Sequence, residues 1–245
     1  MNDKNRISRR NFIAALGGAG LTAGCAVEGL PTIAIPGANA GGLTQADAAA
    51  GIRAALNNGV SHAISTIGVR DGFLLNKLIR IPLPRRLENI QGSLSRFGLS
   101  GPLDTLEMQL NRGAEAAVPK ARRIFVDAIS SMSITDAVGV VRGGDNAATD
   151  YLKGRTFSPL TGLFTPIMTT ALEQAGAIKT LDSLTARLKT IPLAPQLGAD
   201  AKDDLIRHGV QYGLDGMFVY IAREEAAIRA NPAKRTSEIL RRVFG

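Results

Sequence analysis

Apolar residues recur at spacings of three and four along most of the chain beyond residue 43, and no useful length of strand-like alternation interrupts them. This period is typical of helices that bury one face. Thr44 followed by Asp47 is a capping-box-like start, and the helix that it opens is predicted to end near Gly68. The pattern therefore predicts an all-α fold, with a single domain of about nine helices over residues 43–245.

Glycine, proline and capping residues set the limits of the later helices. Helices with both ends marked are expected at about 85–97, 102–118, 133–143, 159–174, 178–189 and 201–230. Three more helices are expected to begin at residues 119, 145 and 231. Two proline-rich straps, 79–84 and 191–195, are predicted to be extended, because the residue before a proline is disfavoured in the helical region.

Residues 1–24 resemble an export signal. Arg9 and Arg10 precede an apolar run, 12–23, that is shorter than the roughly 20 residues of a spanning helix. The pattern Ser-Arg-Arg-x-Phe looks like a twin-arginine signal, and residues 21–25 resemble a lipobox that ends at the only cysteine, Cys25. We therefore expect a membrane partner through a lipidated Cys25.

The protein is predicted to be located on the periplasmic side of the cell envelope. Ala26 follows the cysteine, which by the usual sorting rule for Gram-negative lipoproteins favours an outer-membrane anchor. The alternative is cleavage after Ala40, in an A-x-A site, which would release a soluble periplasmic protein. Residues 25–42 are rich in Gly, Pro and Ala and are predicted to form a flexible tether.

The amino-acid composition argues against nucleic acid as a partner. Aromatic residues make up 4% of the chain and Trp is absent, so the stacking platforms that hold single-stranded nucleic acid are scarce. Part of the net charge of +8 lies in the leader. We therefore expect no nucleic-acid partner.

The chain offers few residues for metal or cofactor chemistry. His62 and His208 are its only histidines and belong to different predicted helices, whereas a zinc site takes at least three protein ligands. No G-x-S-x-G sequence occurs, and no strand precedes the glycine pair at 143–144. The sequence predicts no metal and no cofactor.

Several polar residues on predicted helices are candidates for a binding site. Asp215 lies in an apolar run and is expected to be buried, while Glu225 and Arg229 are spaced for an i,i+4 pair. One interpretation is a set of structural ion pairs; the other is a site that handles an anion or a carboxylate. The candidate ligand-binding residues are Asn111, Arg112, Glu115, Asp215, Phe218, Glu225, Arg229 and Arg235.

Two predicted helices carry apolar stripes, at 160–172 and 217–221. Stripes of this kind either form a solid core or line a cavity between helices. The sequence leaves both alternatives open.

Seven segments in order resemble domain-of-unknown-function family 4197: 79–84, 108–115, 125–129, 147–151, 214–218, 231–236 and 243–244. The resemblance covers about 43–245. The resemblance implies a helical fold and a location in the cell envelope, and it implies no established reaction. Two departures are Gly113, where the family usually has alanine, and the twin-arginine leader, which is less usual there.

The combined prediction is a helical domain of the cell envelope that binds a hydrophobic ligand or a protein partner. One alternative is a hydrolase with Glu115, Asp215 or Glu225 as its base. Another is a purely structural envelope spacer that is recognised through an exposed apolar patch.

Overall fold

A computed structural model of the chain describes residues 44–190 and 200–230, without the side chains of 187–189. Within these ranges there is no strand, and the all-α prediction is confirmed. The structure has eight α-helices and one 3₁₀ turn there: α1 Gln45–Ile67, α2 Arg85–Ser95, α3 Gly101–Ala117, the turn Val118–Ala121, α4 Arg122–Ser130, α5 Ile134–Arg142, α6 Ala147–Gln174, α7 Ala177–Lys189 and α8 Ala201–Ala230.

The predicted capping sequences begin two helices. At α1 the Thr44 hydroxyl accepts the backbone N–H of Asp47 at 3.1 Å, and the Asp47 carboxylate accepts the backbone N–H of Thr44 at 3.0 Å. Ser133 and Asp136 form the same box at α5, at 3.0 and 3.1 Å. In each case two backbone donors that the helix leaves unpaired find acceptors.

Two predicted helix boundaries at prolines are wrong. Pro159 and Pro166 both lie inside the single helix α6, whereas Pro159 was expected to begin a new helix. Leu160, Phe164 and Met168 are spaced by four and fully buried on one stripe, so their packing offsets the hydrogen bonds that the prolines remove. Pro119 lies in the 3₁₀ turn, and α4 begins at Arg122.

One hydrophobic core joins the helices. Helix α6 packs against α3 and α8, and α1 packs against α8, α5 and α4. Gly209 allows the close approach of α8, because a Cβ there would lie 2.7 Å from Leu110 Cδ2 and 3.2 Å from Met168 Cε. Among the described residues no single helix is long and apolar enough to cross a membrane; the bent pair Gly101–Ser130 and Ile134–Arg142, at 101°, passes that test only jointly.

The first strap crosses the surface of α3. Residues 80–84 are non-helical, as predicted, and Ile81 and Leu83 are buried, at 0% and 2% exposed. The second strap, the predicted helix from residue 231, the leader and the tether all lie outside the described residues.

Candidate functional site

Predicted site residues on α3 hold the loop between α1 and α2. One oxygen of Glu115 accepts the backbone N–H groups of Phe73, at 3.0 Å, and Leu74, at 3.1 Å. Its other oxygen accepts Arg112 Nη1 at 2.6 Å, and Arg112 Nη2 donates to Asp71 Oδ1 at 2.7 Å. The hydrogen bond to Glu115, aided by Asp71, raises the pKa of Arg112. Both oxygens of Glu115 are thus committed to ordering the loop.

Asn111 lies one turn earlier on α3 and extends this arrangement. Its side-chain amide accepts the N–H of Ile81 and donates to the carbonyl oxygen of Ile81, each at 2.9 Å. It also donates to the carbonyl oxygen of Glu107 at 2.8 Å. A buried amide is satisfied by such pairing. Asn111, Arg112 and Glu115, together called the α3 clamp below, therefore form one buried site that fixes the path of a loop.

Glu225 and Arg229 form a second site, at the start of α6. The Glu225 carboxylate accepts the backbone N–H of Ala148 at 3.0 Å, and the N–H and hydroxyl of Thr149 at 2.8 Å each. Arg229 donates to the same carboxylate, at 3.1 and 2.8 Å, and to the carbonyl oxygen of Val140 at 3.0 Å. Glu225 therefore caps α6 from another helix, while Arg229 binds the end of α5. We call the pair the α8 clamp.

Asp215 is not buried, so that expectation is wrong. Its side chain is 44% exposed and accepts from Lys153 Nζ at 3.1 Å and Gln211 Nε2 at 2.8 Å. Phe218, one turn further on, is 4% exposed and meets Phe125 edge-on, with ring centroids 5.9 Å apart. Asp215 lies on the solvent edge of α8 and Phe218 in the core.

The structure therefore divides the predicted site residues among four places rather than one cleft: the two clamps, the solvent edge of α8 and the core. Arg235 lies outside the described residues. Glu115 and Glu225 accept hydrogen bonds on both oxygens from backbone and arginine donors. A general base needs a free oxygen within reach of a substrate proton, and neither clamp offers one. This geometry favours the structural ion-pair interpretation.

The apolar stripes of α6 and α8 form core and do not line a large cavity. A small apolar space of about 30 Å³ lies between α1, α5, α8 and the start of α6. It has room for a water molecule or two and is far below the 300–1,000 Å³ of typical ligand sites. The fully or nearly fully buried stripe residues are Leu160, Phe164, Met168, Leu172, Met217, Phe218 and Ile221.

A larger apolar groove lies between the α2–α3 turn and α7. Its volume is about 730 Å³, within the range of ligand pockets. Phe97 and Leu99, in the turn, are 77% and 62% exposed. We call it the α2–α7 groove; its lining is Ile90, Leu94, Gly98, Leu99, Gly101, Pro102, Leu103, Lys179, Thr180, Ser183 and Leu184. Sequence reasoning missed it, although two apolar residues around a glycine between helices were a signal.

The two histidines lie apart. His208 Nε2 is 2.8 Å from the carbonyl oxygen of Pro82, and burial lowers the pKa of His208. His62 Nε2 is 3.4 Å from Glu224 Oε1 on another helix. Among residues 44–190 and 200–230 no three His, Cys, Asp or Glu side chains are grouped as a metal site would require.

Comparison with known proteins gives a family and no activity. Neither the curated proteins nor the solved structures contain a significant match to the chain. The model of one family, described as "Protein of unknown function (DUF4197)", matches residues 42–245. Because this match covers most of the 245 residues, the chain belongs to that family of unknown function.

Proposed function

We propose that this chain is a binding protein of the cell envelope, and that it takes an amphipathic ligand with an apolar chain and an acidic head into the α2–α7 groove. The observation that carries the proposal is the groove itself, with about 730 Å³ of space and mostly apolar walls. A pocket of this volume with few polar groups is the usual form of a small-molecule site.

Exposed apolar side chains supply a reason for a ligand to bind. Leu99 is 62% exposed and Phe97 77%, while Ile90 and Leu103 behind them belong to the core. Covering a leucine or phenylalanine side chain fully contributes about 1.5–3 kcal/mol. An apolar chain in the groove would cover Leu99 and partly buried Leu94 together.

The polar part of the lining lies on one face of α7. Lys179 and Ser183 are four residues apart and both exposed, so their side chains are neighbours on the helix surface. Among the described residues, no carboxylate lies within 4.0 Å of Lys179. An ammonium and a hydroxyl beside an apolar groove favour a carboxylate or phosphate head.

The envelope location in this proposal depends on the leader. Arg9, Arg10 and Cys25 predict export and a lipid anchor. A protein held at a membrane surface by a tether would meet apolar ligands with acidic heads at high local concentration.

A fluorescent fatty-acid titration tests the proposal. The purified full-length chain is titrated with dansyl-undecanoate, which is then displaced with palmitate. We expect saturable binding, weakened about tenfold by Leu99→Asp, which corresponds to about 1.4 kcal/mol. The matched control is Leu75→Asp, because Leu75 is also an exposed leucine, at 73%, and does not line the groove.

A charge variant separates the head from the chain. Lys179→Glu should weaken binding of dansyl-undecanoate and leave binding of its methyl ester unchanged, since the ester has no charge for the ammonium to pair with. Equal affinities for wild type, Leu99→Asp and Leu75→Asp would refute the groove as the site. No saturable binding would refute a lipid-like ligand and favour an amphipathic helix of a protein partner.

A further inference from the structure

A second surface of the molecule, which shares no residue with the groove lining, exposes apolar side chains. Within the loop after α1, Val69 is 51% exposed, Leu75 73% and Leu78 54%. Most other large apolar side chains of the described residues are buried. Val69 and Leu75 line the same surface depression, and exposed apolar side chains that lie together mark interaction sites. We call residues 69–80 the apolar loop.

Basic side chains alternate with the apolar ones in this loop. The Arg70 side chain is 84% exposed, with its nearest carboxylate, Asp71, at 4.0 Å. Lys77 is exposed, and among the described residues no carboxylate lies within 4.0 Å of it. Arg80 pairs with Glu107 at 2.9 Å. Since Asp71 is already bound by Arg112, the loop presents a net positive charge beside its apolar side chains.

The exposure is not a result of a poorly held loop. The α3 clamp binds the backbone at Phe73, Leu74 and Ile81. Asn76 Nδ2 donates to the Tyr220 hydroxyl at 2.6 Å. These buried contacts keep the apolar side chains in water, which is unfavourable unless another surface covers them.

We propose that the apolar loop docks on an anionic lipid surface. Val69, Leu75 and Leu78 would enter the headgroup region, and Arg70 and Lys77 would lie against lipid phosphates. A leucine that is 73% exposed projects from the protein, and a lipid surface accepts projecting side chains without a matching pocket. The positive charge is complementary to anionic headgroups. This proposal is independent of the ligand proposed for the α2–α7 groove.

A site-specific fluorophore tests the docking. Cys25 is the only cysteine, so a full-length Cys25→Ser chain with Leu75→Cys can be labelled at position 75 alone with a polarity-sensitive dye. Phosphatidylglycerol vesicles should shift its emission to the blue, because the dye leaves water. Phosphatidylcholine vesicles should shift it much less, and high salt should reduce the shift.

The matched control carries the dye at Ile134→Cys, which is 42% exposed in wild type. Ile134 starts α5, beside Met132, whose carbonyl accepts Arg53 of α1. Residue 53 lies about 21 Å along α1 from the apolar loop, at 1.5 Å per residue. If the leader alone brought the chain to the vesicles, the dyes at positions 75 and 134 would show equal emission shifts.

A basic variant completes the test. Lys77→Glu should weaken binding to the anionic vesicles by at least about fivefold, while Arg142→Glu, at an exposed position on α5, should not. Equal shifts at positions 75 and 134, or no shift at 75, would overturn the proposal. If no shift occurred at position 75, the alternative partner of the apolar loop would be an acidic protein surface.

Discussion

Replacing Glu225 by alanine should destabilise the fold strongly, because its carboxylate joins α8 to α6 directly and to α5 through Arg229. It accepts two backbone N–H groups and a hydroxyl at the start of α6 and two donors of Arg229 on α8, all within 3.1 Å. Arg229 also donates to Val140 on α5. The substitution leaves Ala148 and Thr149 without their acceptor, and leaves a guanidinium that is 19% exposed without its carboxylate.

The magnitude follows from these contacts. Loss of a helix N-cap costs about 1 kcal/mol and up to about 2, and removal of one partner of a buried ion pair costs about 3–5 kcal/mol. The two losses share the same carboxylate, so we expect a total of about 3–5 kcal/mol in the free energy of unfolding. For a domain of this length that lowers Tm by about 6–20 °C.

Urea denaturation followed by circular dichroism measures the effect. Glu225→Gln keeps one acceptor oxygen and should lose less than Glu225→Ala. The matched control is Asp215→Ala on the same helix, whose ion pair with Lys153 is 44% and 46% exposed; exposed pairs contribute about 0–1 kcal/mol. In the double variant Glu225→Ala/Arg229→Ala the two losses should not add. If Glu225→Ala unfolded with nearly the free energy of Asp215→Ala, the capping argument would fail.

Three further predictions concern packing, pH and the anchor. Gly209→Ala should lower the free energy of unfolding in urea titrations by about 1–3 kcal/mol, since its Cβ would lie 2.7 Å from Leu110. Gly139→Ala, at a helical position on α5 with open space around it, should raise it by about 0.5–1 kcal/mol. Burial lowers the pKa of His208 below 6.5, so as pH falls the unfolded chain binds the proton first. The free energy of unfolding should therefore begin to decline as pH falls towards 6.5, and should go on declining until pH passes the lowered pKa of the folded state. His208→Gln should lack that part of the decline. Cys25→Ala should move the protein from the membrane fraction to the soluble fraction on immunoblots; unchanged fractionation would refute the lipid anchor.

Local signals were enough to predict most helix limits. The capping boxes at Thr44 and Ser133 are satisfied by residues three positions away, so every group that decides the boundary is visible in a short window. The start of α8 at Ala201 was predicted from another local signal, the proline-rich strap 191–195 that precedes it. Such contacts depend little on the rest of the fold.

Prolines misled the prediction where tertiary packing decides. Pro159 removes a backbone donor from α6, and a local rule therefore starts a new helix there. In the structure the stripe that contains Thr156, Leu160 and Phe164 is buried on both sides of the proline, and α6 continues. The gain from burying that stripe comes from α3 and α8, which no short window contains.

The fate of each carboxylate also depended on distant residues. Asp215 has apolar neighbours in sequence, but successive helical residues point about 100° apart, so Leu214 and Met217 are buried while Asp215 meets Lys153. The donors that fix Glu225 are 76 and 77 residues away. Sequence could name the candidate residues and the i,i+4 pair with Arg229, but not these partners.

The buried carboxylates and the exposed apolar residues fit together in one argument. A buried charge must be paired, and the carboxylates of Glu115 and Glu225 are paired with backbone N–H groups and arginines. If either carboxylate abstracted a proton, it would lose the hydrogen bonds that hold the loop or the helix. Those same contacts keep the apolar loop ordered with Leu75 in water. Leu99 is likewise exposed beside the α2–α7 groove. Exposed Leu75 lies in one loop with exposed Lys77, and exposed Leu99 lines one groove with exposed Lys179, so both proposed binding surfaces combine an apolar side chain with a basic one.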